Sequence, residues 1–185
     1  MAEDVLAFWF QGDTDLYREA RWFTADPAFD DVIRQRFGFI HRAALDGALD
    51  GWAESPDGAL ALVIVLDQFS RHIHRGSYLA FAGDPHARRI ARTTIERGAD
   101  AMLTSLQRGF LYLPFEHSEH MADQDLSVRL FATLTGDFSA TMRDYAERHG
   151  DVIRRFGRFP QRNAALGRAS TPAEIAYLNE AGSLS

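Results

Sequence analysis

The chain has 185 residues, 46% hydrophobic and 25% charged, which suits one globular domain with a sizeable core. It has no cysteine and no lysine, so disulfides, thiolate chemistry, Cys-ligated metals and Schiff-base or P-loop lysines are excluded. Its formal net charge of −6 argues against non-specific nucleic-acid binding.

The amino terminus, MAEDVLAFWF, carries acids where a secretory signal carries bases. The longest strongly apolar run, 59–66, is far shorter than the roughly 20 residues of a membrane span. The expectation is a soluble, cytoplasmic protein that does not enter a membrane. The last residues, 181–185, are expected to be disordered.

Residues 5–10 read as a short, very apolar helix and 16–23 as a second. Four of the six prolines then follow a capping residue, at Asp26-Pro27, Ser55-Pro56, Asp84-Pro85 and Thr171-Pro172. Glu174 completes a capping box with Thr171. From 26 to about 48, Phe29, Ile33, Phe37, Ile40 and Ala44 recur at three and four, an amphipathic stripe. The helix over 56–74 is apolar nearly all round at 59–66, which makes it central. Ala87, Ile90, Ala91 and Ile95 repeat the stripe over 84–97, ended by Gly98. Further helices are expected over 126–134 and 138–155. Only FLYLPF, 110–115, is ambiguous, and Pro114 makes it a poor central strand. The fold class is all-α: a single domain, 1–185, of antiparallel helix pairs.

Three polar stretches carry the chemistry. In LDQFSRHIHRG, 66–76, Asp67, Arg71 and Arg75 are spaced to share one helix face, with Gln68 and His72 beside them. An aspartate in so apolar a helix needs a partner. Cations in a last turn also complement the helix dipole, and Gly76 can cap it. In and after FLYLPFEHSEH, 110–120, Glu116, Glu119, Asp123 and Asp125 form an acid block with no base before Arg129, and Tyr112, His117 and His120 lie beside it. A helix from Phe115 onward would put Glu116, Glu119 and His120 on one face. His117 and His120 offer the spacing of metal ligands, but no HExxH is present, and neither a metal nor another cofactor is expected. Ser118 lies in no nucleophile elbow.

The third stretch, RRFGRFPQRNAALGR, 154–168, holds five arginines, and no acid occurs from Val152 through Ala173. Arg154 and Arg155 close a helix; Arg158, Arg162 and Asn163 follow on irregular backbone around Pro160, where their donors can converge. Pairing with the acids of 116–125 would make the run architectural. A surplus of forked donors would instead hold a carboxylate or phosphate. Arg158 and Arg162 are the two expected to be left over. His149, before Gly150, is a further candidate.

These motifs, with VLAFWF, WFTADPAFDDVIRQRF, LALVIVLDQFSRHIHRG and STPAEIAYL, resemble a bacterial family catalogued as domain of unknown function 924 over essentially the whole chain. The resemblance implies a tetratricopeptide-like α–α superhelix and no known activity. It carries over polar positions at Asp67, Gln68, Arg71 and Arg75, then Tyr112, Glu116, His117, Ser118, Glu119 and Gln124, and finally Arg155, Arg158, Arg162, Asn163 and Arg168. Ser70, His72, His120 and Gln161 depart from the family pattern. Three functions follow as expectations: a small anionic ligand, with acid–base chemistry from Glu116 or His117; a peptide partner in a tetratricopeptide-like groove; or a structural polar network.

Overall fold

Caps and packing together set the helices in this computed structural model, which describes residues 1–11, 22–136 and 138–180. Every regular element among those residues is helical. No helix among them is long and apolar enough to cross a membrane. The expected helix over 16–23 lies outside the described residues as far as Arg21, and so does the tail 181–185. Contacts divide the chain into one unit of residues 1–75 and 79–104 and another of 76–78 and 105–185.

The first unit begins with α1 (Ala2–Trp9), which buries Val5, Phe8 and Trp9. Asp26 accepts hydrogen bonds from the amides of Ala28 and Phe29 and so opens α2 (Pro27–Leu45). Ser55 does the same through Gly58 for α3 (Pro56–Val63). All residues from Gly58 to Ser70 are buried, as the all-round apolar pattern requires. The helix does not run on unchanged, however. It widens into a π-helical turn, Ile64–Phe69, before α4 (Ser70–Ile73), a distortion often found at functional sites. Phe8, Phe37 and Phe69 pack against one another, with ring centroids 4.9 Å apart for Phe8–Phe37 and 5.0 Å for Phe37–Phe69.

α5 (Asp84–Glu96) corrects one expected cap. Gly83 occupies the N-cap position, no side chain caps the helix, and the Asp84 carboxylate is held by Arg71. Gly83 is required for another reason: a Cβ there would lie 2.2 Å from the Leu66 carbonyl oxygen of the π turn. Gly98 ends the helical segment with φ +66°.

The second unit packs α6 (Ser105–Glu116), α7 (Met121–Phe131) and α8 (Ser139–Phe156) on one another. The ambiguous FLYLPF lies inside α6, with Pro114 within the helix. Proline there removes a ladder hydrogen bond, but every residue from Gly109 to Glu116 is buried, and that burial outweighs the loss. α7 starts five residues before its expected position, because Asp123 and Gln124 of the acidic block are buried helix residues rather than a connection. α8 ends at Gly157, φ +70°. A 3-10 turn, Pro160–Arg162, and α9 (Pro172–Leu178) follow, α9 opened by the expected capping box. Val152, Ile153, Phe159 and Tyr177 form the core beneath them.

Candidate functional site

In the first unit the polar residues of 66–76 are held by acids from other helices. Asp67 is fully buried in the π turn, and both its oxygens are engaged: Arg71 lies 3.0 Å from one, and Gln68 Nε2 donates to the other at 2.5 Å. Arg71 also donates to the Asp67 carbonyl at 2.9 Å and makes a fork–fork pair with Asp84 at 2.8 and 3.1 Å. Arg75 does not share that face. It lies beyond the end of α4 and forks onto Asp30 of α2 at 2.7 and 2.9 Å. His72 Nδ1 donates to the same carboxylate at 2.7 Å. Asp30 is buried, and its pKa is lowered: desolvation opposes the shift, but the Arg75 and His72 hydrogen bonds outweigh it.

One more histidine closes this set. Ser70 donates its hydroxyl to the Leu66 carbonyl at 2.6 Å, so the His41 Nε2 that lies 2.8 Å from Ser70 Oγ must itself carry a proton and donate. Burial, with His74 and Arg42 nearby, lowers the His41 pKa to about 4 and keeps the ring neutral.

In the second unit the arginine run meets its acids. Arg168 forks onto Glu119 at 2.7 and 2.9 Å, donates to Asn163 Oδ1 at 2.9 Å, and donates to the Phe159 carbonyl at 3.1 Å. Glu119 also accepts from the Phe159 amide at 2.8 Å, so both backbone groups of Phe159 are fixed by one ion pair. Arg158, expected to be left over, is not. It forks onto Glu174 at 2.6 and 2.8 Å and donates to the Ala169 carbonyl. Glu174, held also by the Thr171 amide and approached by Asn163, has its pKa lowered to about 2, the Arg158 hydrogen bond being the largest cause. Arg154 pairs with Asp151 at the surface, and Arg155 lies over Phe156, 4.7 Å from the ring centroid.

A different group of residues gathers around Phe159. The Arg162 guanidinium carbon lies 4.5 Å from the Phe159 ring centroid, and the His149 ring 5.4 Å from it, edge on. His149 Nδ1 donates to the Tyr145 carbonyl at 2.8 Å and lies 3.3 Å from Glu116 Oε1; the His117 ring is 6.3 Å away. Burial lowers the His149 pKa to about 3, with repulsion from His117, Arg162 and Arg148 adding to it. With its proton on Nδ1, the neutral ring leaves Nε2 as an acceptor.

The expected shared face of Glu116, Glu119 and His120 does not form, because α6 ends at Glu116 and residues 117–120 connect it to α7. Among the described residues, no group of three or more His, Asp or Glu side chains is placed to hold a metal ion. Tyr112 is buried, and its hydroxyl accepts from Arg108 at 2.9 Å. Gln124 donates to the Glu116 and Ser118 carbonyls at 2.7 and 2.6 Å, tying down that connection.

Sequence reasoning missed Asp30 and Glu174. Asp30 sits beside Phe29 in a first turn, where an acid reads as dipole complement. Glu174, the first acid after the acid-free stretch, reads from sequence as a cap alone. It also missed a cleft of about 210 Å³ between the 3-10 helix Asp50–Glu54 and α5, lined by none of the candidate residues.

The family described as "Bacterial protein of unknown function (DUF924)" matches residues 5–182. A solved structure of a protein of unknown function from Agrobacterium tumefaciens is 41% identical, covers 97% of this chain and 97% of its own, and superposes with a TM-score of 0.88. No curated protein matches the chain.

Proposed function

The chain belongs to the bacterial DUF924 family of proteins of unknown function, and from that premise we propose that its second unit binds a small anionic ligand at Arg162, beside Glu116, His117 and His149. Family membership brings no activity with it, so the reading rests on side-chain chemistry. Its main support is a run of contacts: Arg162 and His149 pack on the Phe159 ring, and His149 in turn meets the buried Glu116 carboxylate and has the His117 ring near it. The half-buried Arg162 supplies a forked donor whose apolar face rests on Phe159. Neutral His149 supplies an acceptor for a ligand hydroxyl or for the acidic proton of a phosphate monoanion. Any proton transfer falls to Glu116 or His117. Arg158 and Arg168 are committed to Glu174 and Glu119, so they frame the loop rather than the ligand.

The test is a thermal-shift screen against inorganic phosphate and sets of phosphorylated and carboxylated metabolites, on the wild type and on Arg162→Gln. A ligand at a hundred times its Kd stabilises by about 2.7 kcal/mol, a shift of several degrees in a domain of this size. The shift should vanish in Arg162→Gln, with circular dichroism checking that the variant still folds. If no anion raises the melting temperature, or if the shift survives the substitution, the reading fails.

A second reading has its own observation. The Arg158–Glu174 and Arg168–Glu119 pairs, bridged by Asn163, are the polar network expected of a purely structural role. For those residues we adopt it.

A further inference from the structure

We propose that the cleft between the 3-10 helix Asp50–Glu54 and α5 binds a small zwitterion, specifically a free α-amino acid. This site lies wholly in the first unit and does not depend on Arg162. One wall is a face of α5. Arg89, Thr93 and Arg97 follow at intervals of four, and about 12 Å of helix separates the two arginines. The other wall carries Asp50 and Glu54. His86 Nε2 lies 2.9 Å from the Asp50 carboxylate but makes no hydrogen bond to it. Among the described residues, Glu54, Arg89 and Arg97 make no ion pair with one another or with any other group.

That separation of charge selects the ligand. A plain anion would be drawn to Arg89 and Arg97 but repelled by Asp50 and Glu54, and a plain cation would meet the reverse. A ligand with both charges completes each wall without adding net charge to the cleft. Its carboxylate accepts the forked donors of Arg89 or Arg97, with the Thr93 hydroxyl beside them, and its ammonium donates to Glu54. Ala53 and Ile90 supply apolar surface for a short side chain. The volume of about 210 Å³ lies below the roughly 300–1,000 Å³ typical of drug-sized sites, which limits the ligand to a small metabolite.

Isothermal titration of the full chain with the common α-amino acids, each beside its desamino carboxylic acid, tests this. At least one amino acid should bind, and its desamino analogue should bind at least about tenfold more weakly, as loss of a charged hydrogen bond implies. Glu54→Gln should bring the pair to near parity. The double variant Arg89→Gln, Arg97→Gln should weaken both ligands, and Arg162→Gln should change neither. Glu54, Arg89 and Arg97 are all exposed, so these variants should melt like the wild type, which circular dichroism checks. Absence of binding by every amino acid overturns the proposal. So does equal binding of the desamino acids to the wild type, or unchanged binding by the double-arginine variant.

Discussion

In the first unit the acids that hold arginine are out of reach of water: Asp30, Asp67 and Asp84 are all buried, and they sit on helices or the π turn. In the second unit the main pair is wetter, with Glu119 and Arg168 side chains 26% and 23% exposed, and it braces irregular chain between α8 and α9. The same forked chemistry therefore serves two ends. A buried ion pair contributes little net stability but is costly to break, because the partner is stranded. A half-exposed pair is replaced in part by water when broken. The buried acids, Asp30, Asp67 and Asp84 in the first unit and Glu174 in the second, should be brittle toward loss of a partner, and the Glu119–Arg168 pair tolerant.

Acid is the broadest probe of that difference. His41 in the first unit and His149 in the second have folded pKa values of about 4 and about 3, below the unfolded value of roughly 6.5. Between those values the unfolded chain binds a proton that the folded chain refuses. The stability contributed by each neutral ring is thus complete above about pH 6.5 and lost as pH falls. The slope is at most roughly 1.4 kcal/mol per pH unit for each histidine. His41→Gln, which keeps a donor for Ser70, should flatten the profile of urea midpoint against pH. His149→Gln should flatten it more and down to lower pH, because the folded pKa of His149 lies further below the unfolded value and its ring faces His117, Arg162 and Arg148. Asp30 and Glu119, both lowered, contribute stability present above the ordinary carboxylate range and lost only as pH falls through their folded values.

Asp30→Ala should be the costliest single substitution. It strands buried His72 and removes the anchor of Arg75, a loss of about 3 kcal/mol in urea denaturation. That is the low end for a buried pair, because the Arg75 side chain is 45% exposed. A loss under about 1 kcal/mol would show that water relieves the stranded groups as readily as at the Glu119–Arg168 pair.

Two glycines make the same comparison without charge. A Cβ on Gly83 would meet the Leu66 backbone at 2.2 Å, and backbone in a π turn cannot step aside. A Cβ on Gly109 would lie 2.4 Å from Met142 Sδ, the far part of an unbranched side chain that can change rotamer. Gly83→Ala should cost about 2 kcal/mol and Gly109→Ala under about 1. Equal losses would remove the distinction between a rigid and an adaptable interior.

Much of this was legible in the residues, for local reasons. Caps at Asp26, Ser55 and Thr171 act within three residues, so their partners are fixed by spacing. The apolar run 59–66 had to be central because no face of it was polar. The need of Asp67 for a partner followed from its setting, and Arg71 is that partner. Choices made across long sequence distances were not legible: Arg75 finds Asp30 from 45 residues away, and Arg168 finds Glu119 from 49. Several acids were equally eligible by composition, and only helix packing selects among them. The π turn has no residue signature, and the cleft exists only because a 3-10 helix faces α5.

The smallest effect should come from Glu119→Gln. Glutamine keeps one carbonyl oxygen, which can still accept from the Phe159 amide, but it loses the charge and the second acceptor for Arg168. A half-exposed pair broken in this way should cost about 1 kcal/mol. The loss should be local. Glu119 and Arg168 hold the Phe159 amide and carbonyl, so hydrogen exchange should quicken at Phe159 and through 157–171, with amides of residues 26–75 unchanged. If Glu119→Gln instead costs as much as Asp30→Ala and quickens exchange in both units, the wet pair is as brittle as the buried one. Exposure would then not be what separates the two pairs.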